Sequence, residues 1–232
     1  MHARTMFVFL LISLLGCAAN RPSSILPRLE PEEDVVLVKS LRIPDGEPWI
    51  SRFAQHSWID YRRDGQWCRM EVVDDWSSLN HQEIGADEAQ LDERWGRAIR
   101  VLSAFGGDRA KGITGSLSQV QDEDYGYRVW PGPNSNTFTE RLLRETPGLW
   151  AALWGTSVGR DYAGWGRVGL TGTGTGVEVE TVPLGLQLGL REGVELHVLG
   201  GLTFGIGLWP LSITLPLLPP LGPRPEVRIS RN

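Results

Sequence analysis

The chain is poor in the residues that build cross-links and metal centres. It has two cysteines, Cys17 and Cys68, and four histidines in 232 residues. With Cys17 engaged elsewhere, Cys68 is left alone and no intramolecular disulfide is expected. One cysteine with His56, His81 and a distant His197 has no zinc-ligand spacing, so neither a metal nor another cofactor is expected. A basic stripe is missing too. The net charge is -5, which excludes nucleic acid as a partner. The stretch from Val198 to Pro223 carries no charge, but prolines and glycines interrupt it. A spanning helix tolerates those poorly, so a β segment that is buried or faces a membrane is expected there.

The N-terminus is better furnished. His2 and Arg4 precede an apolar or small run from Met6 to Gly16, the charged and hydrophobic regions of a secretory signal. The run is about half of the roughly 20 residues a spanning helix needs. Leu14-Leu15-Gly16-Cys17 resembles the bacterial lipobox, which implies cleavage before Cys17 and a lipid, palmitate included, on its sulfur. Two or three acyl chains hold a protein to a bilayer without a helix. The expected location is the periplasmic side of the cell envelope. Ala18 follows the cysteine, so the outer membrane is favoured over the inner.

Residues 1–16 are thus read as signal peptide and 17–34 as lipid anchor and tether, with a core domain over 35–165 and a Gly/Leu/Pro-rich β extension over 166–232. In the core, Val35 to Val38 reads as a strand. Phe53–Tyr61 and Trp67–Val73 flank Asp64-Gly65, a strong hairpin signal. Leu91, Trp95, Ile99, Leu102 and Phe105 fall at helical spacing, so a helix is expected over 87–105, ended by Gly106-Gly107. A shorter helix is expected from about Asp108 to Val120, a strand over Tyr125–Trp130, and a further helix from Asn134 or Ser135 to Pro147-Gly148. Val177–Val182, Leu186–Leu190 and Val194–Val198 alternate as strands of an antiparallel sheet. The expected fold class is α+β: an N-terminal hairpin, central helices and a C-terminal antiparallel extension.

Two stretches carry candidate chemistry, Ala54-Gln55-His56-Ser57-Trp58 on a strand and Gly132-Pro133-Asn134-Ser135-Asn136-Thr137-Phe138 where a loop becomes a helix. With the Gly-rich Leu196-to-Ile206 tail they resemble family 3750 of the domains of unknown function, over roughly 35–220. They are also distantly similar to circularly permuted papain-like (NlpC-type) hydrolases and acyltransferases. Those place a His on an early strand and a nucleophile at a later helix start, in motifs such as N-C-x-x-F. Asn134-Ser135-Asn136-Thr137-Phe138 has that shape with Ser for Cys.

The resemblance implies amide or ester chemistry on a permuted papain-like fold, with Ser135 as nucleophile, His56 as base, and Asn134 and Asn136 positioned at the oxyanion. Helix N-terminal N–H groups can stabilise such a charge. Counting back from a two-residue turn at Asp64-Gly65 puts Glu71 diagonal to His56, able to orient its ring. A serine cannot rest as a thiolate and needs general-base help. Two functions therefore stay open: a Ser-His hydrolase or acyltransferase, and a non-catalytic envelope lipoprotein that binds a glycan, peptide or lipid. Gly155-Thr-Ser-Val-Gly159, with Asp161 and His197 downstream, matches a nucleophile elbow but lacks its βα context. Thr171–Gly176 lacks the lysine of a phosphate loop. The acidic stretch from Gln121 to Asp124 reads as a solvated turn.

Overall fold

A computed structural model describes residues 29–30, 33–44, 53–73, 76–120, 126–208, 211–223 and 227–231. The expected signal peptide, the lipidated Cys17 and the acidic turn lie outside the described residues. The described residues are mostly β, 43% strand and 15% helix in three sheets, two of them six-stranded. This overturns the α+β expectation with central helices, and with it the permuted papain-like arrangement.

The first sheet has the order β14-β7-β1-β2-β3-β4. Its strands are β1 (Val35–Arg42), β2 (Gln55–Arg63), β3 (Gln66–Val73), β4 (Trp76–Ile84), β7 (Arg100–Gly106) and β14 (Ile229–Ser230). The Asp64-Gly65 turn closes β2 on β3 with Arg63 opposite Gln66. Both turn residues have positive φ, 50° and 80°, as a type I′ turn requires.

The main correction falls on 87–105. In place of one helix there is a single turn α1 (Ala86–Ala89), a small hairpin of β5 (Glu93–Arg94) and β6 (Arg97–Ala98), and the strand β7. Trp95 and Gly96 form the hairpin tip with φ of 56° and 67°, values no helix contains. The glycine in mid-pattern marks the break. Beyond it Val101, Ala104 and Phe105 are buried because β7 pairs with β1 at the centre of the sheet. The 125–130 strand is likewise absent among the described residues, 126–128 being irregular.

One face of this sheet is apolar. Val36, Val38, Ile59, Tyr61, Met70 and Val72 form a core with Ile113 and Leu117 of α2 (Gly107–Leu117) and Phe138, Leu142 and Leu143 of α3 (Ser135–Glu145). Both helices match the expected spans closely. The other face carries Leu41, Trp58 and Ile99 beside charged groups, under α1 and the β5–β6 hairpin.

The second sheet is wholly antiparallel, in the order β13-β12-β11-β10-β9-β8. It comprises β8 (Arg167–Leu170), β9 (Gly176–Glu180), β10 (Leu184–Gly189), β11 (Gly193–Val198), β12 (Leu202–Leu208) and β13 (Leu211–Thr214). Its alternation is inside out. Arg167, Glu180, Gly185, His197 and Thr203 form one row across five strands, and Gly169, Glu178, Gln187, Glu195, Gly205 and Thr214 the next. Among them Glu178, Glu180, Gln187, His197, Thr203 and Thr214 are buried. The apolar residues between these rows face outward.

Candidate functional site

The capping of α3 explains Asn134 and Asn136. Asn134 Oδ1 accepts from the backbone N–H of Asn136 (2.9 Å) and Thr137 (3.2 Å), and its Nδ2 donates to the carbonyls of Val129 (3.0 Å) and Val158 (2.9 Å). The Asn134 N–H donates to Thr137 Oγ1 at 3.1 Å, which completes a capping box. Asn136 Nδ2 donates to the carbonyls of Gln55 (2.7 Å) and Val158 (2.9 Å), and its Oδ1 accepts from Ser57 Oγ (2.7 Å). Each amide nitrogen spends both hydrogens on protein carbonyls, so neither has one left for an oxyanion. Ser135 is buried between them, in a small pocket also lined by Ile43, Ala54, Tyr127, Val129 and Trp130.

His56 lies on the other side of the sheet. Side chains alternate along β2: Ser57, Ile59 and Tyr61 face α3, while His56, Trp58 and Asp60 face the β5–β6 hairpin. The sheet itself separates His56 from Ser135. Glu71 does lie against His56, with Nε2 2.5 Å from Oε1. Arg94, on the small hairpin, donates to both Glu71 oxygens at 2.5 and 3.1 Å. Burial alone would raise the Glu71 pKa, but the hydrogen bond from His56 and the Arg94 guanidinium outweigh it and hold it at about 2. Trp58 stacks on the imidazole at 5.6 Å and Trp95 tilts against it at 5.3 Å. Beside this group Asp60 accepts from Lys39 (2.9 Å) and Arg69 (2.7 and 3.1 Å), all three buried. His56 and Glu71 thus belong to an ionic layer beneath the hairpin, where their partners among the described residues are Arg94, Trp58 and Trp95.

A second constellation lies under the second sheet. His197 Nδ1 is 2.7 Å from Glu180 Oε1 and 3.7 Å from Asp161 Oδ1, and Nε2 is 3.3 Å from Glu195 Oε2. Arg160 donates to Asp161 Oδ2 (3.1 Å), to Glu195 and to the Leu153 carbonyl. Arg144 of α3 reaches Glu140 at 2.8 Å and grips Glu178 at 2.7 and 2.8 Å, where Arg167 also donates at 2.6 Å. Burial pushes the Glu180 carboxyl up. Burial would lower the His197 pKa, but the surrounding carboxylates, Asp161 first, raise it to about 9. Five carboxylates (Glu140, Asp161, Glu178, Glu180, Glu195) therefore meet three arginines.

The family model of a protein of unknown function (DUF3750) matches residues 37–162. The chain belongs to that family. No curated protein and no solved structure matches it. The DUF3750 match takes in β1 to α3, the Asn134–Asn136 cap, His56, Glu71 and Asp161. It stops before β8, short of the 220 suggested by the tail, so Glu180, Glu195 and His197 stand on strands beyond it. Cysteine and histidine spacing gave no sign of the His197 group because its neighbours are carboxylates. The available sign was the period-2 pairs Glu178/Glu180 and Glu195/His197, which put four ionisable groups on one face of a sheet. Arg94, on an unforeseen hairpin, had no sign in the sequence.

Proposed function

We propose that this chain is a non-catalytic, lipid-anchored envelope protein that lays the outer face of its second sheet on the membrane to which Cys17 ties it. The observation that carries the reading is that face. Val168, Val179, Leu186, Leu196 and Phe204 form one row, and Leu170, Val177, Leu188, Val194, Ile206 and Ile213 the next. All eleven are between 38 and 80% exposed, with no charged side chain among them. Ordinary antiparallel sheets turn such residues to the core. An apolar patch of this extent marks a protein or membrane contact.

Its composition favours lipid. Protein interfaces concentrate Tyr, Trp, Met and Arg, whereas these rows hold Val, Leu, Ile and one Phe. Trp165, fully exposed, precedes β8 at the sheet edge, where an aromatic ring suits the membrane–water boundary. Strands of four to seven residues fall short of the roughly 9–11 that cross a bilayer, so the sheet lies on the surface. No described helix is long and apolar enough to cross one. A tether of 18 residues (17–34) reaches at most about 65 Å, which keeps the sheet near the bilayer.

The test separates the sheet from the acyl anchor. A Cys17→Ser chain is mixed with phosphatidylethanolamine–phosphatidylglycerol vesicles and floated on a density gradient. It is expected to rise with the vesicles, and the added pair Leu186→Glu and Phe204→Glu to reduce the bound fraction at least tenfold. A Cys17→Ser chain that stays at the bottom overturns the reading. So does a concentration-dependent dimer in sedimentation that the same pair abolishes, since the face would then join two copies.

A further inference from the structure

The His197 constellation has the layout of a cation site. One donor atom each from Asp161, Glu180 and His197 lies within 4.8 Å of the others. An ion with bonds near 2.1 Å needs donors about 3.4 Å apart in tetrahedral geometry, so small side-chain movements suffice. Clustered acids alone would mean little. Here a buried oxygen lacks a partner: Glu180 is 1% exposed and its Oε2 accepts no hydrogen bond among the described residues. That oxygen sits over Gly185, where an added Cβ would come within 1.8 Å of it. Gly185 stands between Glu180 and His197 in the row across β9, β10 and β11. Its missing side chain leaves the space in which the two donors meet.

The surrounding groups prepare the ligands. Glu195 faces Nε2 of His197 and leaves Nδ1 toward Glu180 and Asp161, the carboxylate–histidine support that metal sites use to fix a ring. Arg160 holds Asp161 by Oδ2 and leaves Oδ1 facing the histidine. The carboxylates of Asp161, Glu180 and Glu195 all face the one imidazole, so a cation placed there meets acidic groups on every side.

We propose that Asp161 Oδ1, Glu180 and His197 Nδ1 bind one first-row divalent cation of the zinc class, with Glu195 orienting the imidazole from behind. A donor set of one imidazole and two carboxylates suits zinc or manganese rather than a thiolate-seeking ion. On binding, the proton between His197 Nδ1 and Glu180 leaves to solvent, and the nitrogen lone pair forms the metal bond. The ion would stitch Asp161, at the end of the segment the DUF3750 model matches, to β9 and β11.

The experiment is equilibrium dialysis of the EDTA-treated full chain against Zn2+ and, separately, Mn2+, with metal read by mass spectrometry. About one ion per chain and a Tm that rises with metal concentration are expected. Glu180→Gln, nearly isosteric, should bind at least ~100-fold more weakly, and Glu195→Gln about 10–100-fold more weakly. His81→Gln, on β4, should bind as the parent does. No stoichiometric uptake of either metal overturns the proposal. So does uptake that Glu180→Gln leaves unchanged, or that His81→Gln abolishes. If Glu180→Gln fails to fold, Glu195→Gln decides in its place: an unweakened Glu195→Gln chain overturns the proposal. Vesicle flotation is read on the same samples, so a failed metal site is distinguishable from a failed membrane contact.

Discussion

Asn134 and Ser135 are neighbours with opposite consequences. Removing the Asn134 side chain deletes an N-cap and takes a donor from the Val129 carbonyl, while Val158 keeps its bond from Asn136. Asn134→Ala should cost about 2 kcal/mol in urea unfolding of the full chain. Ser135 sits in an apolar pocket with no such duties, and Ser135→Ala should stay within about 1 kcal/mol of the parent. Glu71 supplies a pH signature. Its pKa is about 2 against an ordinary 4.5, so the folded state prefers the carboxylate. That preference stabilises the fold fully above pH 4.5 and is lost as pH falls toward 2. The difference corresponds to roughly 3 kcal/mol. Glu71→Gln should lower stability at pH 7 and flatten the acid limb of a stability–pH curve between those values.

At the scale of elements, glycine positions decide what can be built. Gly185→Ala would drive a methyl group into Glu180 and should cost about 1–3 kcal/mol, read as a lower Tm. Sequence could show where the elements with strong local chemistry lie. The β2–β3 hairpin, α2, α3 and the strands from Gly176 to Val198 were all legible, because Asp-Gly turns, Pro-Gly stops and alternation are local signals. From the hairpin register Glu71 was legible as well, as a neighbour of His56. The segment 87–105 was not, because apolar spacing there fits two periods and pairing with β1 chose the strand. The face of β2 on which His56 falls was not legible either. Alternation says that Ser57 and His56 point opposite ways, but only the docking of α3 says which of them meets Asn136. The Ser135–His56 pairing foundered on that one bit of information.

For the whole molecule, the second sheet inverts the usual rule of burial. Its charged face packs inward on Arg144 and Arg160 and its apolar face lies open. Such a sheet is held to the rest of the chain by ion pairs screened little by salt once buried. The Leu186→Glu and Phe204→Glu pair touches only exposed positions, so it should leave the Tm close to the parent value while removing the vesicle contact. A shared fall in both would mean that the pair had unfolded the sheet.

The first and last described segments of the chain meet at the first sheet. Arg231 is bonded to Glu33 at 2.6 and 2.9 Å, and Leu29, Val227 and Ile229 each pack on the cluster that includes Val35 and Leu37 of β1. From there the chain enters β1, which has a hydrogen-bonded neighbour on each side along most of its length. A pull on the chain that precedes β1 therefore runs along the strand and loads both ladders at once, in shear. Mechanical strength is thus concentrated at the point where a membrane anchor would tug.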